Sequence, residues 1–291
     1  MNFLIVLLAV VVEFIVKSMV EQRRRGWTIL WVTWLEGFCA RYQWWTKSVA
    51  IAVIVGLPLC VASALFSILH GLAPFLGYLA SFATLLLAFG PEDLSDEVET
   101  YKNQLAGEGS SGVPQVTFAT AGSDYDVGDA TDDVQFNATR GDLAALAVSA
   151  NRAWFVPVMW FFAAGPLGAI AYRLICNLRE RAGLSAEIEA LLGDLCEALE
   201  WLPARLSMFL LGIAGTLLPV LDCGRDFGVF RWGSSRELLA RAALAATDNG
   251  RIDVPISGDI RAHRIDAMYA LLLRTLTAWI VLMAGVALLI R

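Results

Sequence analysis

At 291 residues the chain is long enough for a sizeable core, yet 57% of it is hydrophobic and only 17% is charged. Soluble domains carry about 45–50% apolar and ~25% charged residues, so this excess points to a membrane rather than to a large core. The formal net charge of −6 argues against a nucleic-acid partner, because phosphate binding needs a basic face.

In chain order, the first apolar segment is Asn2–Val16, running on toward Val20. Glu13 sits inside it, and a buried carboxylate costs about 2.5–3.5 kcal/mol on the insertion scale. Twelve Leu, Ile, Val and Phe residues between Phe3 and Val16 offset this at about 0.3–0.6 kcal/mol each, so insertion wins. It is not a cleaved signal peptide, since Arg23, Arg24 and Arg25 follow the apolar run instead of preceding it. Trp27, Trp31, Trp34, Trp44 and Trp45 then suit a helix in the headgroup region, or equally an ordinary helix between spans. Ser48–Leu69 and Ala73–Phe89 form an apolar helical hairpin, with His70 at its turn.

Residues 90–152 form an acidic soluble loop, with twelve acids from Glu92 to Asp142. It is expected to be helical at Asp93–Leu105 and irregular at 107–140. Its Gly107, Gly109 and Gly112 match a dinucleotide fingerprint by spelling alone, because no strand precedes them and Val113-Pro114 follows. Its aspartates, Asp124 to Asp133, lack the glycine and terminal glutamate of a calcium loop. The five cysteines are scattered without a CxxC pair, and His70 and His263 are the only histidines. No metal site is expected, and the cysteines read as reduced packing residues.

The second membrane part covers 153–222. Trp154–Cys176 is apolar but interrupted by Gly165-Pro166, and Pro157 and Pro166 are expected to kink it. An amphipathic helix at 185–202 puts Ile188, Leu191, Leu192, Leu195 and Leu199 on one face, and Pro203 is expected to end or bend it. Leu206–Leu221 is a spanning candidate. A basic polar loop follows at 223–266, with a helix opened by the capping box Ser234-Ser235-Arg236-Glu237. The last span falls in 267–291. The fold class is therefore all-α: a polytopic helical membrane protein of about six spans with interfacial amphipathic helices. If all of them cross, Lys and Arg divide fifteen against three, which puts both termini outside the cytoplasm of a bacterial inner membrane. A re-entrant 154–176 makes the division eleven against seven.

Four stretches carry a family resemblance. The chain reads Gly90-Pro91-Glu92-Asp93-Leu94 with Val98 and Tyr101, then Asn151-Arg152-Ala153-Trp154-Phe155-Val156-Pro157, then Gly165-Pro166-Leu167-Gly168-Ala169 with Tyr172-Arg173, then Leu199-Glu200-Trp201-Leu202-Pro203-Ala204-Arg205-Leu206. In order and spacing these resemble the AmpE branch of the CobD/AmpE superfamily over nearly the whole chain, and Glu13 matches a glutamate of AmpE first spans. The AmpE resemblance implies a regulatory or sensory inner-membrane protein linked to β-lactamase induction and peptidoglycan recycling. The CobD branch resembles a membrane-bound cobinamide-phosphate synthase that uses Mg-ATP. Two acids of the synthase pattern are missing, since Ser149-Ala150-Asn151-Arg152 stands in their place, and Cys176 replaces an asparagine. No catalytic residue and no resident cofactor are therefore expected; Mg-ATP belongs to the synthase alternative alone.

The candidate ligand-binding residues are Glu13, Asp93, Tyr101, Asn151, Arg152, Trp154, Tyr172, Arg173 and Arg205. An ionisable group within a span needs a partner in a bundle interior or cavity. Arginine offers a planar fork to carboxylate or phosphate, so Arg152, Arg173 and Arg205 would make an anion site if they converged; each alone also fits snorkelling to headgroups. The expected partners are the lipid bilayer, a cell-wall fragment or anionic lipid, and a protein that docks on the loops.

Overall fold

The computed structural model describes residues 6–8, 47–89, 94–107, 134–179, 186–248 and 258–289. The expectations for Glu13, Asp93, the tryptophan-rich segment and the acidic stretch 108–133 fall outside these residues. Beyond the short piece at 6–8, the described chain forms α1 (Lys47–Leu72), α2 (Pro74–Ala88), α3 (Leu94–Gly107) and α4 (Val134–Ala150). A π-helical turn (Asn151–Phe155) leads into α5 (Val156–Ala164), followed by α6 (Pro166–Arg179) and α7 (Ala186–Ala214). The last three are α8 (Leu217–Phe227), α9 (Ser235–Asp248) and α10 (Gly258–Leu289). Among the described residues there is no strand. Among the described residues, three stretches are long and apolar enough to cross a membrane: Val55–Leu72, Arg140–Ala164 and Arg261–Leu289; Pro74–Ala88 is apolar but shorter.

Several expectations need correction. The helix expected to start near 154 begins at Val134, within the stretch read as loop, and Leu143–Ala150 are buried. Pro203 does not end its helix, because α7 runs through it to Ala214. The expected span Leu206–Leu221 is not one helix: it breaks at Gly215-Thr216 between α7 and α8. At Gly165 the chain does break as expected, with φ of 70° there and Pro166 opening α6, where its missing N–H costs no helical bond.

The residues cluster into two compact units, Met1–Pro91 with Val156–Leu199, and Glu92–Phe155 with Glu200–Arg291. In the first, the apolar face of the 185–202 helix packs as its spacing requires. Leu192 and Cys196 are buried with Val156, Tyr172, Ile175, Cys176 and Leu178, and Leu191, Leu195 and Leu199 pack against them. Trp160 Nε1 donates to the Leu199 carbonyl at 3.0 Å, so an indole within an apolar helix has its partner. By contrast, none of Val55–Leu72 is buried, and α1 and α2 expose Leu57, Val61, Leu65, Ile68, Phe75 and Leu79.

The second unit is centred on α4 and the π-helical turn, where Leu143, Leu146 and Phe155 are buried together with Leu238, Leu239, Met268, Leu272 and Trp279. Phe155 stacks on Trp279 with centroids 6.2 Å apart, and Trp154 meets Tyr269 edge-on at 6.3 Å. Helix α9 opens where the capping box predicts, at Ser235. The two side chains of the box go elsewhere: the Ser234 hydroxyl donates to the Arg231 carbonyl at 3.2 Å, and Glu237 pairs with Arg241 at 2.7 Å.

Candidate functional site

Pro157 has no N–H to continue the helical ladder, and the wide π turn at Asn151–Phe155 immediately precedes it. Such turns are rare and are found frequently at functional sites. This one holds three of the sequence candidates, Asn151, Arg152 and Trp154, all buried within the helical run Arg140–Ala164.

Arg152 Nε lies 3.3 Å from Glu200 Oε1, and Arg236 Nε donates to Glu200 Oε2 at 3.2 Å. Glu200 is only 1% exposed and Arg152 6%, so the carboxylate is enclosed between guanidinium groups from two other elements, the π turn and α9. Beside them runs a neutral hydrogen-bond chain. Trp279 Nε1 donates to Ser207 Oγ at 3.2 Å, and the Ser207 hydroxyl donates to Asn151 Oδ1 at 3.1 Å. The cluster can hold charge in an apolar surrounding, where each ion interacts far more strongly than in water.

Arg205 faces a different set of groups. Its Nε donates to the Val229 carbonyl at 2.8 Å, Nη1 to the Trp201 carbonyl at 2.9 Å and to Ser235 Oγ, and Nη2 to the Arg231 carbonyl at 2.6 Å. Its guanidinium also lies over the Trp201 ring, 4.4 Å from the centroid. These contacts hold the turn between α8 and α9. In the first unit, Tyr172 is buried in the apolar core, and Arg173 Nε donates to the Ala88 carbonyl at 2.9 Å.

Tyr101 joins a second polar cluster. Its hydroxyl donates to Asp142 Oδ2, while Arg261 Nη2 reaches the Tyr101 hydroxyl at 3.1 Å and Asp142 Oδ2 at 3.4 Å. Burial, then the negative charge of Asp142 and its hydrogen bond, push the Tyr101 phenol well above its ordinary range, with Arg261 opposing. One helical position on, Lys102 Nζ pairs with Asp266 at 2.8 Å, so α3 is tied to α10 twice.

The structure thus brings Asn151 and Arg152 to one cluster and sets Arg205 in the clamp on the α8–α9 turn. It places Tyr101 in the second cluster and Tyr172 and Arg173 in the other unit. Site residues missed by the sequence reading are Glu200, Arg236, Asp142 and Arg261. Of these only Glu200 carried a signal, as the acid before the tryptophan in the stretch Leu199–Leu206. Among the described residues, no three His, Cys, Asp or Glu side chains are grouped to hold a metal ion.

The described residues are therefore all-helical, with three helices long and apolar enough to cross a membrane and two polar clusters, largely buried, in one unit. Comparison with known proteins finds no match to a family model, to a curated protein or to a solved structure.

Proposed function

We propose that the chain is a multi-pass inner-membrane regulatory protein of the AmpE type, which receives an anionic ligand at the Arg152–Glu200–Arg236 cluster. The observation that carries this reading is the buried Arg152–Glu200 pair, with Arg236 on the far side of the carboxylate, in which Arg152 stands on a π turn inside a helical run apolar enough to cross a membrane. Ionisable groups at membrane depth are expensive and mark ligand or ion sites by default. Two arginines around one carboxylate suit an incoming carboxylate or phosphate, because the guanidinium fork accepts either in place of Glu200. A cell-wall fragment and a lipid headgroup both offer that chemistry. The number of crossings rises from three to about six if residues 2–20, Pro74–Ala88 and the broken run at 206–221 also cross.

Deletion of the gene in its host, with β-lactamase activity measured with and without a cell-wall-active inducer, tests the regulatory role. The expected result is a changed induction ratio, restored by the wild-type gene and not by Arg152→Ala. An unchanged ratio overturns it. Growth of a bacterium lacking cobinamide-phosphate synthase, supplied with cobyric acid and carrying this gene, would instead establish the Mg-ATP-dependent synthase.

A further inference from the structure

The turn between α8 and α9 is framed by Gly228 and Gly233, with φ of 84° and 79°, a backbone region that costs glycine little. Within it the Arg231 N–H donates to the Gly228 carbonyl at 2.9 Å. Arg205, itself only 4% exposed, holds the Val229 and Arg231 carbonyls from beneath. Ser234 adds a third contact, to the Arg231 carbonyl. A turn fixed this firmly could tuck its apolar side chains inward. Instead it presents Phe230 at 83% and Trp232 at 59% exposure.

These rings continue an apolar surface. On α7, Leu202, Phe209 and Ile213 are exposed at spacings of seven and four, which is one helical stripe, and Leu217 and Leu218 extend it onto α8. The Trp201 ring lies 6.5 Å from the Phe230 ring, so the turn sits at the Leu202 end of the stripe. From Leu202 to Ile213 the stripe covers roughly 16 Å at ~1.5 Å per residue, about half the ~30 Å of a hydrocarbon core. The same unit contains the span candidate Arg261–Leu289, which exposes Val281, Leu282, Leu288 and Leu289. Lipid is therefore the medium against which this unit presents apolar surface. The exposed charges next to the turn balance, with Arg225 and Arg231 against Asp222 and Asp226, leaving no single-sign face for a charged protein partner.

From this arrangement we infer that the Val229–Trp232 turn is an interfacial anchor, with Phe230 and Trp232 seated among the lipid headgroups and the α7–α8 stripe facing the acyl chains beside it. Aromatic rings prefer that depth because their faces are apolar and the indole N–H is polar. Because the neighbouring charges cancel, ring insertion does the anchoring and the charge of the lipid does not. Arg205 is the residue that keeps the rings presented.

The test uses the full chain carrying Ser at positions 39, 60 and 223 and one new thiol, Phe230→Cys or Trp232→Cys, labelled with an environment-sensitive fluorophore. Glu99→Cys, an exposed position on α3, serves as the aqueous control. The protein is placed in vesicles of phosphatidylcholine alone or mixed with phosphatidylglycerol, each with nitroxide-labelled lipid. The expected result is blue-shifted emission at 230 and 232, quenched several-fold more by a nitroxide near the headgroup than by iodide, equally in both lipids. The label at 99 shows the reverse. Water-like emission quenched by iodide at 230 and 232 overturns the proposal, and so does blue-shifted emission insensitive to lipid nitroxide, which would mark a protein contact. Quenching found only with phosphatidylglycerol overturns the charge-independent mechanism.

Discussion

Glu200 is the buried carboxylate of the second unit that meets two arginines. Two guanidinium groups face a carboxylate that is 1% exposed. Removing one member of a buried ion cluster leaves the others desolvated, which typically costs about 3–5 kcal/mol, whereas an exposed pair contributes about 0–1 kcal/mol. Glu200→Ala should therefore lower the unfolding free energy in detergent by about 3–5 kcal/mol. Combining it with Arg152→Met should recover part of that loss, because the uncompensated charge goes as well. A loss under about 1 kcal/mol in denaturant titration would mean that the pair is hydrated. The Tyr101 phenol gives a second reading at this scale. Its pKa is raised in the folded state, so its contribution to stability is complete below the unfolded value of about 10 and is lost as pH rises above it. The melting temperature of the wild type should fall more steeply between about pH 9.5 and 11 than that of Tyr101→Phe, and parallel curves would contradict the buried placement of the hydroxyl.

At the scale of elements, legibility followed periodicity and failed where side chains are small or pairings are tertiary. Leu191, Leu192, Leu195 and Leu199 disclosed the buried face of α7 because leucines at helical spacing leave a clear stripe. The start of α4 was hidden for the opposite reason. Arg140-Gly141-Asp142 breaks the apolar sequence pattern there, and the buried run beyond is half alanine, which scarcely marks a face. Pro203 misled because a proline removes one backbone bond from a helix but cannot by itself outweigh the packing that holds the rest. The Glu200–Arg236 pairing joins residues 36 apart in sequence, and no local pattern specifies it. The α7–α8 break shows how such a joint is held: Thr216 Oγ1 donates to the Ala245 carbonyl at 2.9 Å, and a methyl group added at Gly215 would meet the Ala246 carbonyl oxygen at 2.7 Å. Gly215→Ala must move backbone against backbone, so it should destabilise the protein by about 1–3 kcal/mol. Hydrogen exchange should show the loss concentrated in α8 and the C-terminal turn of α9, and a neutral substitution would show that the joint is open.

At the scale of the whole molecule, the membrane decides which surfaces make sense. Val55–Leu72 exposes a continuous apolar surface, and monomeric soluble proteins seldom leave more than a few hundred Å² of contiguous apolar patch in water. Burying that helix in hydrocarbon converts the cost into a gain of about 25 cal/mol per Å². Cys60 reports on the choice because it lies within this helix and its side chain is exposed on the protein. In a bilayer the thiol faces acyl chains, and a charged maleimide has no route to it. In water the same thiol would be the most accessible of the described cysteines. With the cysteines at 39, 176, 196 and 223 replaced by alanine, intact vesicles should therefore resist labelling by a membrane-impermeant maleimide added on both sides, and should label fully after dissolution in SDS. Rapid labelling of intact vesicles would place Val55–Leu72 outside the lipid. The exposed leucines of α1 and α2 would then have to be covered by protein, and the proposed multi-pass arrangement would lose this hairpin.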